Sequence, residues 1–295
     1  MDKIKFITDS ASDIPDEMLA EYQIDMCNIP ITVDGEGYYE RKSFTTQEFY
    51  KLLGAADEIP VTSRVPMDDF LACYQKAWEQ GHSHIIHVTL NAGGSGINAS
   101  AQMARERFYQ KTPEARDKIG IHIVDSRTYS FVYGYPVVQG AKMARAGKSA
   151  EEILAYIEDY FDRVEIYLGC YSLEYAKRSG RIGAAAAFVG DVLGLRPIIS
   201  MIDGQTKTVD KVRGDKNLPA RLLQLYLDNR AGKEGPVLIV RGELDAPVEE
   251  LQALLREDLG RDVQDYYAGA SIAINTGPKL IAVVCLGKRR PQPSK

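Results

Sequence analysis

The sequence predicts an α/β protein of two α/β domains, the first built on a largely parallel sheet and the second on a mixed sheet. Three observations support this. Apolar runs of strand length alternate with amphipathic helical segments along most of the chain. Its 295 residues exceed the size at which a single core usually stops growing. In the second half an Asp203-Gly204 turn joins two candidate strands as a hairpin would, which brings antiparallel pairs into that sheet. The expected division is residues 1–163 and 164–295.

In the first half, the apolar run at 4–8 predicts a strand, followed by a helix after Pro15 and a second strand across 26–33. Thr45-Thr46-Gln47-Glu48 spaces Thr and Glu as a capping box for a helix across 49–53. Phe70, Leu71, Tyr74, Ala77 and Trp78 fall at the spacing of a buried helical stripe over 67–80, with Gly81 as its stop. A strand at 85–90, a helix over 97–110, a strand at 119–124 and helices over 129–146 and 149–162 complete this half. The second half predicts strands at 165–170, 197–201, 206–212 and 237–240, and further strands near 271–275 and 280–286. Helices are expected at 184–193, 215–229 and 248–258. The polar, proline-bearing tail from Lys288 is expected to fray.

Composition excludes several function classes. A net charge of −5 with a hydrophobic content of 45% argues against a nucleic-acid or anionic-membrane surface. The N-terminus enters a strand pattern with no apolar signal core, and no run approaches the ~18 apolar residues of a membrane span. A cytoplasmic protein without stable membrane insertion is expected. The four cysteines, Cys27, Cys73, Cys170 and Cys285, lack Cys-x-x-Cys spacing and read as small core residues rather than a disulfide framework or zinc site.

Two short turns carry the clearest chemistry. Val61-Thr62-Ser63-Arg64-Val65-Pro66 and Gly93-Gly94-Ser95-Gly96-Ile97 each set hydroxyls and backbone N–H groups just ahead of a predicted helix. Unpaired N–H groups and the positive end of the helix dipole suit such places to a carboxylate or phosphate. If both turns face one cleft, they share one ligand head.

Other motifs compete for the same residues. Gly94-x-Gly96-x-x-Ala99 follows a strand and opens a helix, as in a dinucleotide fingerprint, and Asp125 ends the next strand. However, the fingerprint's acid lies about 20 residues on, and here the separation is nearer thirty. A nucleotide-dependent oxidoreductase using Gly94, Gly96 and Asp125 is therefore the alternative enzyme reading. A nucleophile elbow fails because Ile97 stands where Gly-x-Ser-x-Gly needs glycine. His82 and His84 would share a strand face with His87 opposite, and no placeable carboxylates complete a metal site. Asp9-Ser10-Ala11-Ser12-Asp13 reads as a helix-capping turn ahead of Pro15, with a catalytic or metal cluster as the alternative. Lys177 to Arg181 and Lys211 to Lys216 form two basic clusters, by default solvated.

Taken in order, Ile7-Thr8-Asp9-Ser10-Ala11-Ser12-Asp13-Ile14-Pro15, Thr62-Ser63, Ser95-Gly96, Val124-Asp125-Ser126, Leu173-Glu174-Tyr175 with Gly180-Arg181-Ile182, and Gly277-Pro278 resemble the DegV family over nearly the whole chain. The resemblance implies a long-chain fatty acid as bound ligand at or near the domain junction, with no other cofactor, no metal and no catalysis by this chain. It implies a fatty acid kinase catalytic subunit as partner: the carrier presents the carboxylate to that ATP-using subunit, and acyl phosphate forms there. A lipid-sensing regulatory protein is the further alternative. Carried over by position, the head group falls to Thr62 and Ser95 with Ser63 and Gly96 in support. Asn275 stands where the family often places a carboxylate-binding histidine. Arg178, Arg181 and Arg213 are the candidate partner or phosphate contacts. A neutral hydroxyl clamp is expected to serve both carboxylate and phosphate, and a nearby arginine gripping the head would contradict that expectation.

Overall fold

The computed structural model describes residues 2–181 and 194–288. The helix expected at 184–193 lies outside the described residues. The chain forms two compact units: residues up to 45 together with 56–159, and 46–55 together with the residues from 160 onward. The sequence-based boundary differs mainly at the helix Thr46–Ala55, which belongs to the second unit. It buries Phe49, Tyr50 and Leu53, and the Tyr50 hydroxyl donates to the Ala268 carbonyl at 2.6 Å.

In the first unit, β1 (Ile4–Asp9), β2 (Asp25–Cys27), β6 (His84–Thr89) and β7 (Gly120–Asp125) form a four-stranded sheet in the order β2-β1-β6-β7, every pair parallel. The strands are nearly continuous apolar runs because helices cover a parallel sheet. Among those helices are α3 (Met67–Glu79), α4 (Ile97–Lys111) and α5 (Phe131–Arg145). Phe70, Tyr74, Ala101, Ala104, Phe108, Val132 and Val137 are among their buried residues.

The single strand expected across 26–33 is two strands in different sheets. After β2, the chain turns through Asn28 and Ile29 into β3 (Pro30–Val33), which pairs antiparallel with β4 (Glu36–Tyr39) and β5 (Val61–Thr62) in a small second sheet. Pro30 has no N–H to give a central ladder, so a break there is favoured.

The second unit holds a six-stranded mixed sheet. Its order is β10-β9-β8-β13-β11-β12, antiparallel except for the last pair. β8 spans Val164–Cys170, β9 Leu195–Ile202, β10 Gln205–Arg213, β11 Val237–Arg241, β12 Asp265–Tyr267 and β13 Leu280–Leu286. Asp203 and Gly204 both have positive φ, at 52° and 72°, as a two-residue hairpin turn requires. Leu218, Leu222, Leu225 and Tyr226 of the helix Leu218–Asn229 pack with Leu251 and Leu255 of the helix Ala246–Leu259 onto Ile198, Ile239, Ile281 and Val283. The strand expected near 271–275 is instead a helix, Ala270–Thr276, with all but Asn275 buried. Burial on nearly every side erases the amphipathic period, leaving a short segment that pattern alone cannot assign.

Among the described residues, no helix is long and apolar enough to cross a membrane.

Candidate functional site

The strand order of the first sheet reverses between β1 and β6: the chain leaves β1 for β2 on one side and runs from β6 to β7 on the other. In open α/β sheets the crevice beyond the carboxyl ends of such strands is the usual place for a ligand. Both hydroxyl-bearing turns belong to this unit.

Thr62 ends the short strand β5, opposite Ile31, and the Ser63 N–H donates to the Pro30 carbonyl at 2.9 Å. The second turn follows β6. Ser95 Oγ accepts the Ile97 N–H at 3.3 Å, and Gly96 is the N-cap residue of α4, with no side-chain cap of its own. The two turns lie side by side. The Ser100 hydroxyl in the first turns of α4 donates to the Val65 carbonyl at 2.8 Å. A Cβ placed on Gly96 would come within 3.3 Å of Arg64 Cδ and 4.0 Å of its Nη1. Ser63, Arg64 and Gly96 are exposed, whereas Thr62 and Ser95 are half-buried, so both turns are reachable from solvent. Arg64 belongs to the same turn, and a lone cation among hydroxyls carries no sequence signal of its own. Its position against Gly96 departs from the neutral clamp expected from the sequence.

A buried polar framework holds the second turn. Asp9, at the end of β1, accepts the Leu90 N–H at 2.9 Å, the Tyr133 hydroxyl at 2.6 Å and the Ala11 N–H at 3.2 Å. Burial pushes its carboxyl up to about 6, against the lowering effect of the bonds from Tyr133 and Leu90. Ser10 donates to Glu40 at 2.6 Å, and Ser130 donates to Asp13. The expected capping turn is therefore a brace. The helix Asp16–Tyr22 has Pro15 as its N-cap residue, without a side-chain cap, while the acids before it turn inward. An acid ending a buried parallel strand was the available signal for this.

Gly94 and Asp125 have structural work that accounts for them without a nucleotide. A Cβ on Gly94 would meet the Tyr129 hydroxyl at 2.3 Å, and that hydroxyl accepts the Asn91 amide at 2.9 Å. Asp125 Oδ1 accepts the Ala92 N–H at 2.9 Å and the Arg127 N–H at 3.0 Å, bracing the loop after β6 to the loop after β7.

The remaining candidates lie in the second unit. Asn275 sits on the helix Ala270–Thr276, half-buried, and its amide donates to the Ser271 carbonyl at 2.7 Å. Arg178, on the short helix Glu174–Ser179, is exposed and pairs with Glu174 at 3.7 Å. Arg181 and Arg213 are exposed, and Arg213 ends β10.

The histidines have their own partners. His87 is fully buried with its Nδ1 2.7 Å from the Tyr74 hydroxyl, and burial pushes it down to about 3. His84 stacks on His122, with His84 Nδ1 3.2 Å from His122 Nε2. The four cysteines are free thiols, Cys27 and Cys73 lying 3.5 Å apart. Among the described residues, no three His, Cys, Asp or Glu side chains are grouped to hold a metal ion.

Comparison with known proteins places this chain in a family. A DegV domain-containing protein of Caldanaerobacter subterraneus is 30% identical over 287 residues, covering 96% of this chain and 98% of the relative. The fold is similar to a stearic acid-binding protein from Eubacterium ventriosum, with a TM-score of 0.87 at 24% identity over 98% of this chain and 99% of that one. It is also similar to a DegV family protein from Eubacterium eligens loaded with heptadecanoic acid, with a TM-score of 0.80 at 23% identity over 97% and 100% of the two chains. Residues 3–288 match the model of the DegV family of uncharacterised proteins, and this chain belongs to that family.

Proposed function

We propose that this protein binds a long-chain fatty acid, with the carboxylate on the Thr62-Ser63 and Ser95-Gly96 turns and the alkyl tail in an apolar channel. The observation that carries this reading is the side-by-side placement of the two turns, tied by Ser100 to Val65. The stearic and heptadecanoic acids named for the structural relatives support the ligand class.

The energetics suit such a ligand. A tail of about a dozen methylenes supplies ~10 kcal/mol of transfer free energy before binding costs. The head group then needs only compensation for its lost hydration, which hydroxyl and N–H donors provide. Hydroxyls beside a helix N-terminus bind charge, whereas a nucleophilic hydroxyl needs a base to activate it; Ser95 Oγ instead accepts the Ile97 N–H. A carrier role follows: the chain presents the carboxylate to a separate ATP-using kinase subunit, and acyl phosphate forms there. Arg178, Arg181 and Arg213 are exposed cations suited to such a partner or to the phosphate.

The test is reconstitution. Lipid-loaded protein, ATP and the kinase subunit are mixed, and acyl phosphate is trapped with hydroxylamine as the hydroxamate. A carrier gives hydroxamate in proportion to loaded protein. Bound lipid without hydroxamate instead identifies a lipid sensor.

A further inference from the structure

Arg64 sits in an unusual electrostatic position. Its side chain lies along Gly96, the N-cap residue of α4, with Nη1 4.0 Å from where a Cβ on Gly96 would stand. A helix N-terminus is the positive end of its dipole, so a cation there is repelled. Acids usually relieve such a place. The first turn of α4 contains none, and among the described residues no carboxylate pairs with Arg64, although Asp68 and Asp69 open α3 only a few residues on. The arrangement becomes favourable when an anion stands between the guanidinium and the helix end. Gly96 permits the approach, because any side chain there would crowd Arg64 Cδ.

We infer that Arg64 is the charge-selecting residue of the head-group site: its guanidinium pairs with an anionic head, while Thr62 and Ser95 bind polar heads of either charge state. The inference rests on the proposed fatty-acid site and adds a specificity to it. A neutral lipid of the same length would be held by the tail and hydroxyls alone. A phosphate head would gain more than a carboxylate, since the planar fork of Arg matches both groups and the phosphate carries the larger charge.

The experiment compares three ligands of equal chain length, hexadecanoate, hexadecyl phosphate and hexadecanol, on delipidated wild type, Arg64→Gln and Arg64→Lys by displacement of a fluorescent fatty acid. Arg64→Gln is expected to weaken hexadecanoate about tenfold and hexadecyl phosphate by more, while hexadecanol changes by less than about twofold. Arg64→Lys, which keeps the charge, is expected to recover part of the discrimination. Equal losses for all three ligands, no loss for any, or a lysine variant as indiscriminate as the glutamine variant overturns the role of Arg64. Wild-type protein that binds none of the three overturns the fatty-acid reading itself. Circular dichroism of each variant separates these results from misfolding, and Arg64 is exposed, so its substitution leaves the core intact.

Discussion

In the first unit, polar side chains are buried at and just beyond the carboxyl ends of the parallel strands: Thr8, Asp9, Ser10, Ser12 and Asp13 at β1, Thr89 and Asn91 at β6, and Ser126, Thr128 and Ser130 at β7. The second unit, among its described residues, buries Ser200, Arg241, Ser271 and Thr276 in a core otherwise dominated by Leu, Ile, Val and Tyr. Burying polar groups costs stability unless each is paired. The first unit accepts that cost to hold two loops in one shape, whereas the second follows ordinary apolar packing. The second turn is therefore positioned by the first unit's own polar framework, and the first turn is tied to it by the Ser100 hydroxyl on the Val65 carbonyl.

The largest expected effect should be the least functional. Leu222→Ala, at a fully buried position of the second core, is expected to cost about 2–5 kcal/mol in urea unfolding. It should leave the preference for a carboxylate over an alcohol head unchanged. A changed preference would break the proposed division between the units.

Next comes Asp9→Ala, which leaves the Leu90 N–H, the Tyr133 hydroxyl and the Ala11 N–H without their buried acceptor. Three orphaned donors predict a loss of about 2–4 kcal/mol, measured by the same unfolding experiment. Fatty-acid affinity should fall with it, because the loop leading to Ser95 loses its brace.

The same framework predicts a pH signature. Asp9 is raised to about 6 from an ordinary value of 3.8, so its proton favours the folded state below pH 4 and that stability is lost as pH rises to 6. His87 is lowered to about 3 from 6.5, so its neutral ring favours the folded state above pH 6.5 and that stability is lost as pH falls towards 3. Over the shared range from pH 4 to 6 the two oppose each other. Asp9→Asn should therefore give a variant whose thermal midpoint climbs more steeply from pH 4 to 6 than the wild type. Parallel pH profiles for the two proteins would contradict the opposition.

A smaller effect is expected at the head group. Ser95→Ala should weaken fatty-acid binding by about 1–3 kcal/mol, measured by titration. Its unfolding midpoint should barely move, since Ser95 is half-buried and bonds only to Ile97 N–H among the contacts described above. Unchanged affinity would remove Ser95 from the site.

The smallest effect sharpens the case against a nucleotide. Gly94→Ala pushes the Tyr129 hydroxyl off Asn91, which predicts about 1 kcal/mol of destabilisation in urea unfolding. Pairing it with Tyr129→Phe should relieve the clash. A double variant no more stable than Gly94→Ala would mean that Tyr129 is not what requires glycine.

What could be read from sequence followed the periodicity. The α3 and α4 helices and the 203–204 hairpin were legible because stripe, stop and turn residues agree with the tertiary environment. The helix Ala270–Thr276 was not, because a short segment buried at every position but Asn275 shows no helical period and fits a strand equally well. The capping box from Thr45 to Glu48 located its helix correctly, but local signals do not reveal which core receives Phe49 and Tyr50. At the site, the hydroxyls of Thr62 and Ser95 stood out as residue types. The inward acids and the guanidinium of Arg64 did not, since their meaning depends on which loops the sheet brings together.

The central claim is that the turns of the first unit hold the carboxylate of a long-chain fatty acid. The most direct measurement is to denature the purified protein, extract it with organic solvent and identify the released compounds by mass spectrometry. A long-chain saturated or mono-unsaturated acid in stoichiometric amount from the wild type, and strongly reduced from a Thr62→Val/Ser95→Ala double variant, is the predicted result. Release of a nucleotide instead, or equal acid from both proteins, would contradict it.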